Sequence, residues 1–140
     1  MSIRTVHDVE FGAELPAFEP DTSLAKTSAF AEAVGWGTGG GRLSDHEAAK
    51  KQGLPGALVP GIVGMGFLTA TIHQWSETAE IEHIDTVFRA PMLADSRIII
   101  GAVVTDIDEE TGLLELDMTL KNEADETRVF GTARVRMPTE

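Results

Sequence analysis

"LPGALVPGIVGMGFLTATIHQW", Leu54 to Trp75, is the stretch on which the reading of this chain turns. From Ala57 to Ile72 almost every residue is apolar or small, with no polar face at any helical phase. A helix that is apolar all round is either buried in protein or spans a membrane. Pro60 interrupts the run, and the apolar segment after it falls well short of the roughly 20 residues that a span requires. Gly61, Gly64 and Gly66 would each weaken a free helix by up to about 1 kcal/mol. They make sense where something packs closely against them. The pattern predicts one central helix, from about Pro55 to Trp75, largely buried under a sheet.

The sheet follows it in the chain. "AEIEHIDTVFRAPM", "SRIIIGAVVTDID", "GLLELDMTLKNE" and "TRVFGTARVRM" are four strand-like runs separated by the turn signals "APMLADS", "DEETG" and "NEADE". In the third run Leu114, Leu116, Met118 and Leu120 alternate with Glu115, Asp117, Thr119 and Lys121, as a half-buried strand requires. Short connections between successive strands favour antiparallel pairing. The fold class is therefore α+β: a curved antiparallel sheet wrapped around a central apolar helix.

Ahead of the central helix the chain is helical and loop-rich. "VEFGAELPAFEP" reads as a short strand broken by Pro16 and Pro20. "TSAFAEAVG" reads as a helix capped by Thr27 or Ser28 and ended by Gly35. "SDHEAAKKQG" reads as a short helix with Ser44 as N-cap, Glu47 completing a capping box, and Gly53 beyond its C-terminus. Between them lies "WGTGGGRL", Trp36 to Leu43, half of it glycine.

The 140 residues suit one domain, residues 1–140, with enough chain to bury a core unaided. There is no cysteine, which excludes disulfides and thiolate metal sites. The four histidines have no metal-ligand spacing, so no metal is expected. A net charge of −12 repels nucleic acid and anionic lipid, and neither a nucleic acid nor a membrane is an expected partner. "MSIRTVHDVEFGAEL" carries acids and no apolar run, unlike a signal peptide, and the expected location is cytoplasmic. The glycine loop is not a nucleotide loop. Gly41 stands where a Walker lysine would be, and the preceding "AFAEAV" reads as helix rather than the strand that a dinucleotide loop follows.

From Trp36 to Leu68 the sequence resembles the hydratase motif of the MaoC-like family, a branch of the hot-dog fold. That motif reads Ser-Gly-Asp-x-Asn-Pro-Ile-His-x-Asp-x-x-x-Ala-x-x-x-Gly. Gly37, Asp45, Ala49 and Gly53 match it without a gap, Pro55-Gly56 and Gly61 match the start of the family's central helix, and "FRAPMLADS" is similar to its aromatic-x-x-Pro-x-x-x-Asp stretch. The resemblance implies a single hot-dog domain that binds acyl-coenzyme A thioesters. It implies no cofactor beyond coenzyme A as part of the ligand. It also implies pairing, as a homodimer or with another hot-dog protomer, with the site at the seam. The substrate-binding positions it implies are Trp36, Gly37, Thr38, Gly39, Gly40, Gly41, Arg42, Leu43, Pro60 and Gly61.

The same alignment puts Thr38 where the family's catalytic aspartate stands, Leu43 where its histidine stands, and Pro60 at the histidine of the helix start. Water addition to an enoyl thioester needs acid–base groups that titrate near neutrality, and neither side chain does. Backbone N–H groups at a helix start can still hold a developing oxyanion. Two roles are consistent with this: a non-catalytic, pocket-forming subunit beside a catalytic hot-dog partner, or a hydratase or dehydratase on an unusual enoyl thioester that uses Asp45, His46 or His83 instead. A thioesterase is a third, weaker option.

Each of those groups also has a structural reading. Asp45 and His46 suit the first turn of a capped helix, and His83 suits a cross-strand or edge position. His73 suits a helix C-terminus, and His7 a mobile end. Arg42, Lys50 and Lys51 are either a coenzyme A phosphate contact or a solvated face. Phe67, Trp75 and Phe88 are expected in the core, and Trp36 in a pocket or interface.

Overall fold

A computed structural model describes residues 2–36 and 41–140. The element order is a 3-10 turn (Val6–Asp8), α1 (Leu24–Ala33), α2 (His46–Lys51), β1 (Leu58–Val59), α3 (Gly61–Trp75), β2 (Glu80–Phe88), β3 (Met92–Leu93), β4 (Ile98–Asp108), β5 (Leu113–Asn122) and β6 (Thr127–Arg136). The long strands form one antiparallel sheet in the order β2-β6-β5-β4, and β1 pairs with β3 in a separate ribbon. Register shifts at Ile81/His83, Val104/Asp106 and Leu120/Lys121 break the ladders. Such bulges bend strands and raise their twist, which lets this sheet curve around α3.

The alternation in the sequence becomes the inner face of the sheet. Leu114, Leu116, Met118 and Leu120 are all buried, beside Ile98, Ile100 and Val104 of β4 and Val129, Ala133 and Val135 of β6. Leu68 and Ile72 of α3 join the same apolar cluster with no exposed surface. Each such side chain contributes about 1.5–3 kcal/mol by leaving water. Gly64 lets the helix approach, because a Cβ there would sit 2.8 Å from Met92 Cε and 3.5 Å from Val129 Cγ2.

The helix is shorter and less enclosed than its composition suggests. Residues 55–59 form a turn and β1, and Pro60 is the N-cap. Pro60 lacks the N–H that a helix interior would need and suits the boundary. Only one face of α3 meets the sheet. Gly64, Leu68, Thr71 and Ile72 are buried, whereas Ile62 is 47% exposed and a Cβ on Gly66 would touch nothing. Phe67 and Trp75 pack half-buried against the core, as expected.

The other helices are also capped differently from the sequence reading. Ser23, not Thr27 or Ser28, caps α1, its Oγ accepting from the Lys26 N–H. Asp45, not Ser44, caps α2, and the capping box is replaced by one carboxylate oxygen that accepts from the Glu47 and Ala48 N–H groups. Asp and Ser cap almost equally well, so neighbouring candidates are hard to separate by residue type. Gly35 and Gly53 both take positive φ just beyond their helices, as expected.

The two sheet edges differ. The segment 12–18 lies along β4, with bridges Glu14 to Val103 and Phe18 to Ile100 in place of a continuous strand. Among the described residues β2 has no neighbour on its outer side, and no residue along it is fully buried. No described helix is long and apolar enough to cross a membrane.

Replacing Leu68 with alanine is expected to cost about 2–5 kcal/mol in urea unfolding. Replacing Gly66 with alanine, where there is open space, is expected to gain up to about 1 kcal/mol. A destabilised Gly66→Ala variant would show that this face of α3 is closely covered in solution.

Candidate functional site

A cavity of about 430 Å³ opens where α3 begins. One wall is Leu58 and Val59 of β1 with Pro60 and Gly61 of the α3 start. The facing wall is the chain from Phe88 to Met92, with Val129 of β6 behind it. Trp36, Arg42 and Leu43 complete the rim. The walls are held by backbone. Val59 pairs with Met92 and Leu58 with Leu93 across the β1–β3 ribbon. The Leu58 N–H donates to Arg42 O at 2.8 Å, tying the glycine-rich segment to β1. The Arg89 and Ala90 N–H groups both donate to Arg128 O, fixing the chain as it leaves β2.

The α3 start has no side-chain cap. The first N–H groups of a helix have no intrahelical acceptor, and the partial positive charge they carry attracts anions. Gly61, the first residue of α3, lines the cavity. A Cβ there would lie 3.4 Å from the Phe88 ring, an ordinary contact. Phe88, expected in the core, is instead 49% exposed and forms cavity wall. It is the last residue of an edge strand, paired with Val129 of β6. Trp36 is 54% exposed and meets Phe30 edge-on, with ring centroids 5.6 Å apart.

Five of the residues read as substrate-binding therefore converge: Trp36, Arg42, Leu43, Pro60 and Gly61. Gly41 lies just beside them, its carbonyl accepting from the Ser44 and Asp45 N–H groups. Gly37, Thr38, Gly39 and Gly40 lie outside the described residues. Arg89, Pro91 and Met92 were not read as site residues, although "FRAPMLADS" carries them in sequence.

The alternative acid–base candidates lie elsewhere. Asp45 spends its carboxylate on the cap of α2. His46 is engaged at both ring nitrogens: Nδ1 accepts from the Ala57 N–H at 2.9 Å, and Nε2 lies 2.7 Å from Asp95 Oδ2. The first bond requires the Nε2–H tautomer, so Nε2 donates to Asp95. Gly56 makes room for the ring, since a Cβ there would lie 3.0 Å from Nδ1. Asp95 takes a positive φ of 60° and also accepts from the Leu24 N–H at the start of α1. One carboxylate thus ties α1, α2 and the β3–β4 turn together. His83 stands exposed on β2 opposite Arg134, away from the cavity. Lys50 pairs with Glu47 on the same short helix, and Lys51 is exposed. Among the described residues no group of His, Asp or Glu is arranged to hold a metal ion.

No family model matches this sequence, and no curated protein matches it. Solved structures do. The chain superposes on the (R)-hydratase from A. caviae involved in PHA biosynthesis with a TM-score of 0.83 and 17% identity, covering 93% of this chain and 98% of that one. R-hydratase PhaJ1 from Pseudomonas aeruginosa gives 0.86 and 15%, covering 97% and 86%. A chain of the ChsH1-ChsH2 complex from Mycobacterium tuberculosis gives 0.79 and 20%, covering 91% and 98%. This chain has the hot-dog fold. At such identities the likeness is one of fold, and the hot-dog helix is α3, wrapped by the sheet.

The hydrogen bond from His46, then that from the Leu24 N–H, holds the Asp95 carboxyl below its ordinary value of 3.8. A depressed folded-state value stabilises the native protein above the ordinary carboxylate range and ceases to do so as pH falls through the depressed value. Asp95→Asn is therefore expected to lower the urea midpoint near neutrality. The gap to the wild type should close as pH falls from the ordinary carboxylate range through the depressed value. A gap unchanged across that range would mean that the carboxylate charge is irrelevant at this junction.

Proposed function

We propose that this chain is a MaoC-like hot-dog protein that binds an acyl-coenzyme A thioester in the cavity at the start of α3. In this reading it acts as a pocket-forming subunit rather than as a hydratase on its own. The observation that carries the reading is the lining of that cavity. Leu43 and Pro60 stand in it at positions where the family motif has histidine, and apart from two arginines its described lining is apolar or glycine. Among the described residues its ionisable lining side chains are Arg42 and Arg89, and a guanidinium offers hydrogen-bond donors and no acceptor. What the site does offer is backbone: the N-terminal N–H groups of α3, suited to a thioester oxygen. The engagement of His46 and the distance of His83 from the cavity count against a replacement acid–base pair.

The partner in this reading is another hot-dog protomer, the same chain or a different one. The open outer side of β2 supports it, because an unpaired edge is a liability that proteins cover. So does Phe88, which places the cavity at the end of that same edge. The solved ChsH1-ChsH2 complex, one chain of which shares this fold, is a precedent for hot-dog assemblies of two kinds of chain.

The purified chain is expected to hydrate crotonyl-coenzyme A negligibly. The double substitution Thr38→Asp with Leu43→His should raise that rate, since positioned acid–base help is worth on the order of 10²–10⁴. Robust turnover by the unmodified chain would overturn the non-catalytic reading. By sedimentation equilibrium the protein is expected as a dimer or larger. A stable 15.0 kDa monomer at micromolar concentration would count against the seam.

A further inference from the structure

Two arginines line the cavity, Arg42 and Arg89. This chain carries 23 acidic residues against 11 lysines and arginines, yet no acid lines the cavity. Among the described residues three other arginines are in ion pairs, Arg97 with Glu19, Arg128 with Glu126 and Arg136 with Glu82, and Arg4 and Arg134 are not. Among the described residues Arg42 and Arg89 form no ion pair. Both are exposed, and no carboxylate in the described cavity lining competes for them. Both backbones are pinned, Arg42 through its carbonyl to Leu58 and Arg89 through its N–H to Arg128. Both residues line the cavity from pinned backbone, and the fork of N–H donors on a guanidinium matches an oxyanion.

We propose that Arg42 and Arg89 together hold an anionic group of the ligand, so that the cavity selects an amphiphile with an apolar body and an oxyanion at the arginines. The oxyanion is either a carboxylate borne by the acyl group itself or a phosphate of the thioester carrier. This rests on the reading of the cavity as the ligand site and adds a specificity to it.

Calorimetric titration with octanoate, octanamide and acyl-free coenzyme A separates the possibilities. Octanoate is expected to bind at least about tenfold more tightly than octanamide, the worth of a charge-assisted hydrogen bond. That advantage should vanish in the Arg42→Gln/Arg89→Gln variant and return in part with lysine at both positions. Binding of acyl-free coenzyme A that needs the same arginines, without an octanoate preference, also supports the proposal and assigns the oxyanion to phosphate. An anion preference that survives the double glutamine variant overturns it, as does no preference for either anion in the wild type.

Thermal melting guards against misfolding. Removing an uncompensated cation should leave the unliganded variants at least as stable as the wild type, and a large loss of melting temperature would assign the arginines a structural role instead. Butyryl-coenzyme A titrated in parallel distinguishes the two readings. Equal binding to wild type and double variant removes the arginine proposal and keeps the thioester site. Arginine-dependent octanoate binding without butyryl-coenzyme A binding does the reverse.

Discussion

The contact between one face of α3 and the concave side of the sheet is the constraint on which this structure depends. Leu68 and Ile72 are buried in one apolar cluster with the inner residues of β4, β5 and β6. Gly64 leaves room for the end of the Met92 side chain, whose Cε lies 2.8 Å from where a Cβ would sit. Because the helix is seated over the sheet, its N-terminus comes to rest between the β1–β3 ribbon and the end of β2. The cavity is a consequence of that seat: the chain arrives through Val59 and Pro60, turns into α3, and leaves Gly61 in the lining.

A second constraint joins the helices of the first half to β1. Asp95 joins α1 and α2 through two hydrogen bonds, and His46 passes the connection on to Ala57, next to β1. A histidine that looks like an acid–base candidate in sequence is thereby a mechanical part. Its tautomer is set by the Ala57 N–H and its ring position by the lack of a side chain at Gly56. Burial and hydrogen bonding, not residue type, decide between the two uses of an imidazole.

Much of this was legible in the residues. The period-two alternation of β5 is strict because one face is buried and the other is wet, so Leu114, Leu116, Met118 and Leu120 could be assigned to the core directly. The apolar run to Trp75 marked the helix that the sheet wraps. Composition could not show where that helix starts or which face stays open. The residues of β1 are as apolar as those of α3, and Ile62 is as hydrophobic as Ile72 although one is exposed and the other buried. At the site, Trp36, Arg42, Leu43, Pro60 and Gly61 were found by alignment to a motif. Arg89 and Phe88 were not, because they come to the cavity from the far side of the ribbon, brought there by the pairing of β1 with β3. Local sequence carries no trace of such a long-range partnership.

The most direct test of this account is a crystal structure of the protein with butyryl-coenzyme A, a saturated thioester that cannot be hydrated. The account predicts the acyl chain between the Pro60–Gly61 turn and the Phe88–Met92 segment, with the thioester oxygen facing the first N–H groups of α3. An acyl chain seated anywhere else, or an empty cavity at saturating ligand, would contradict it.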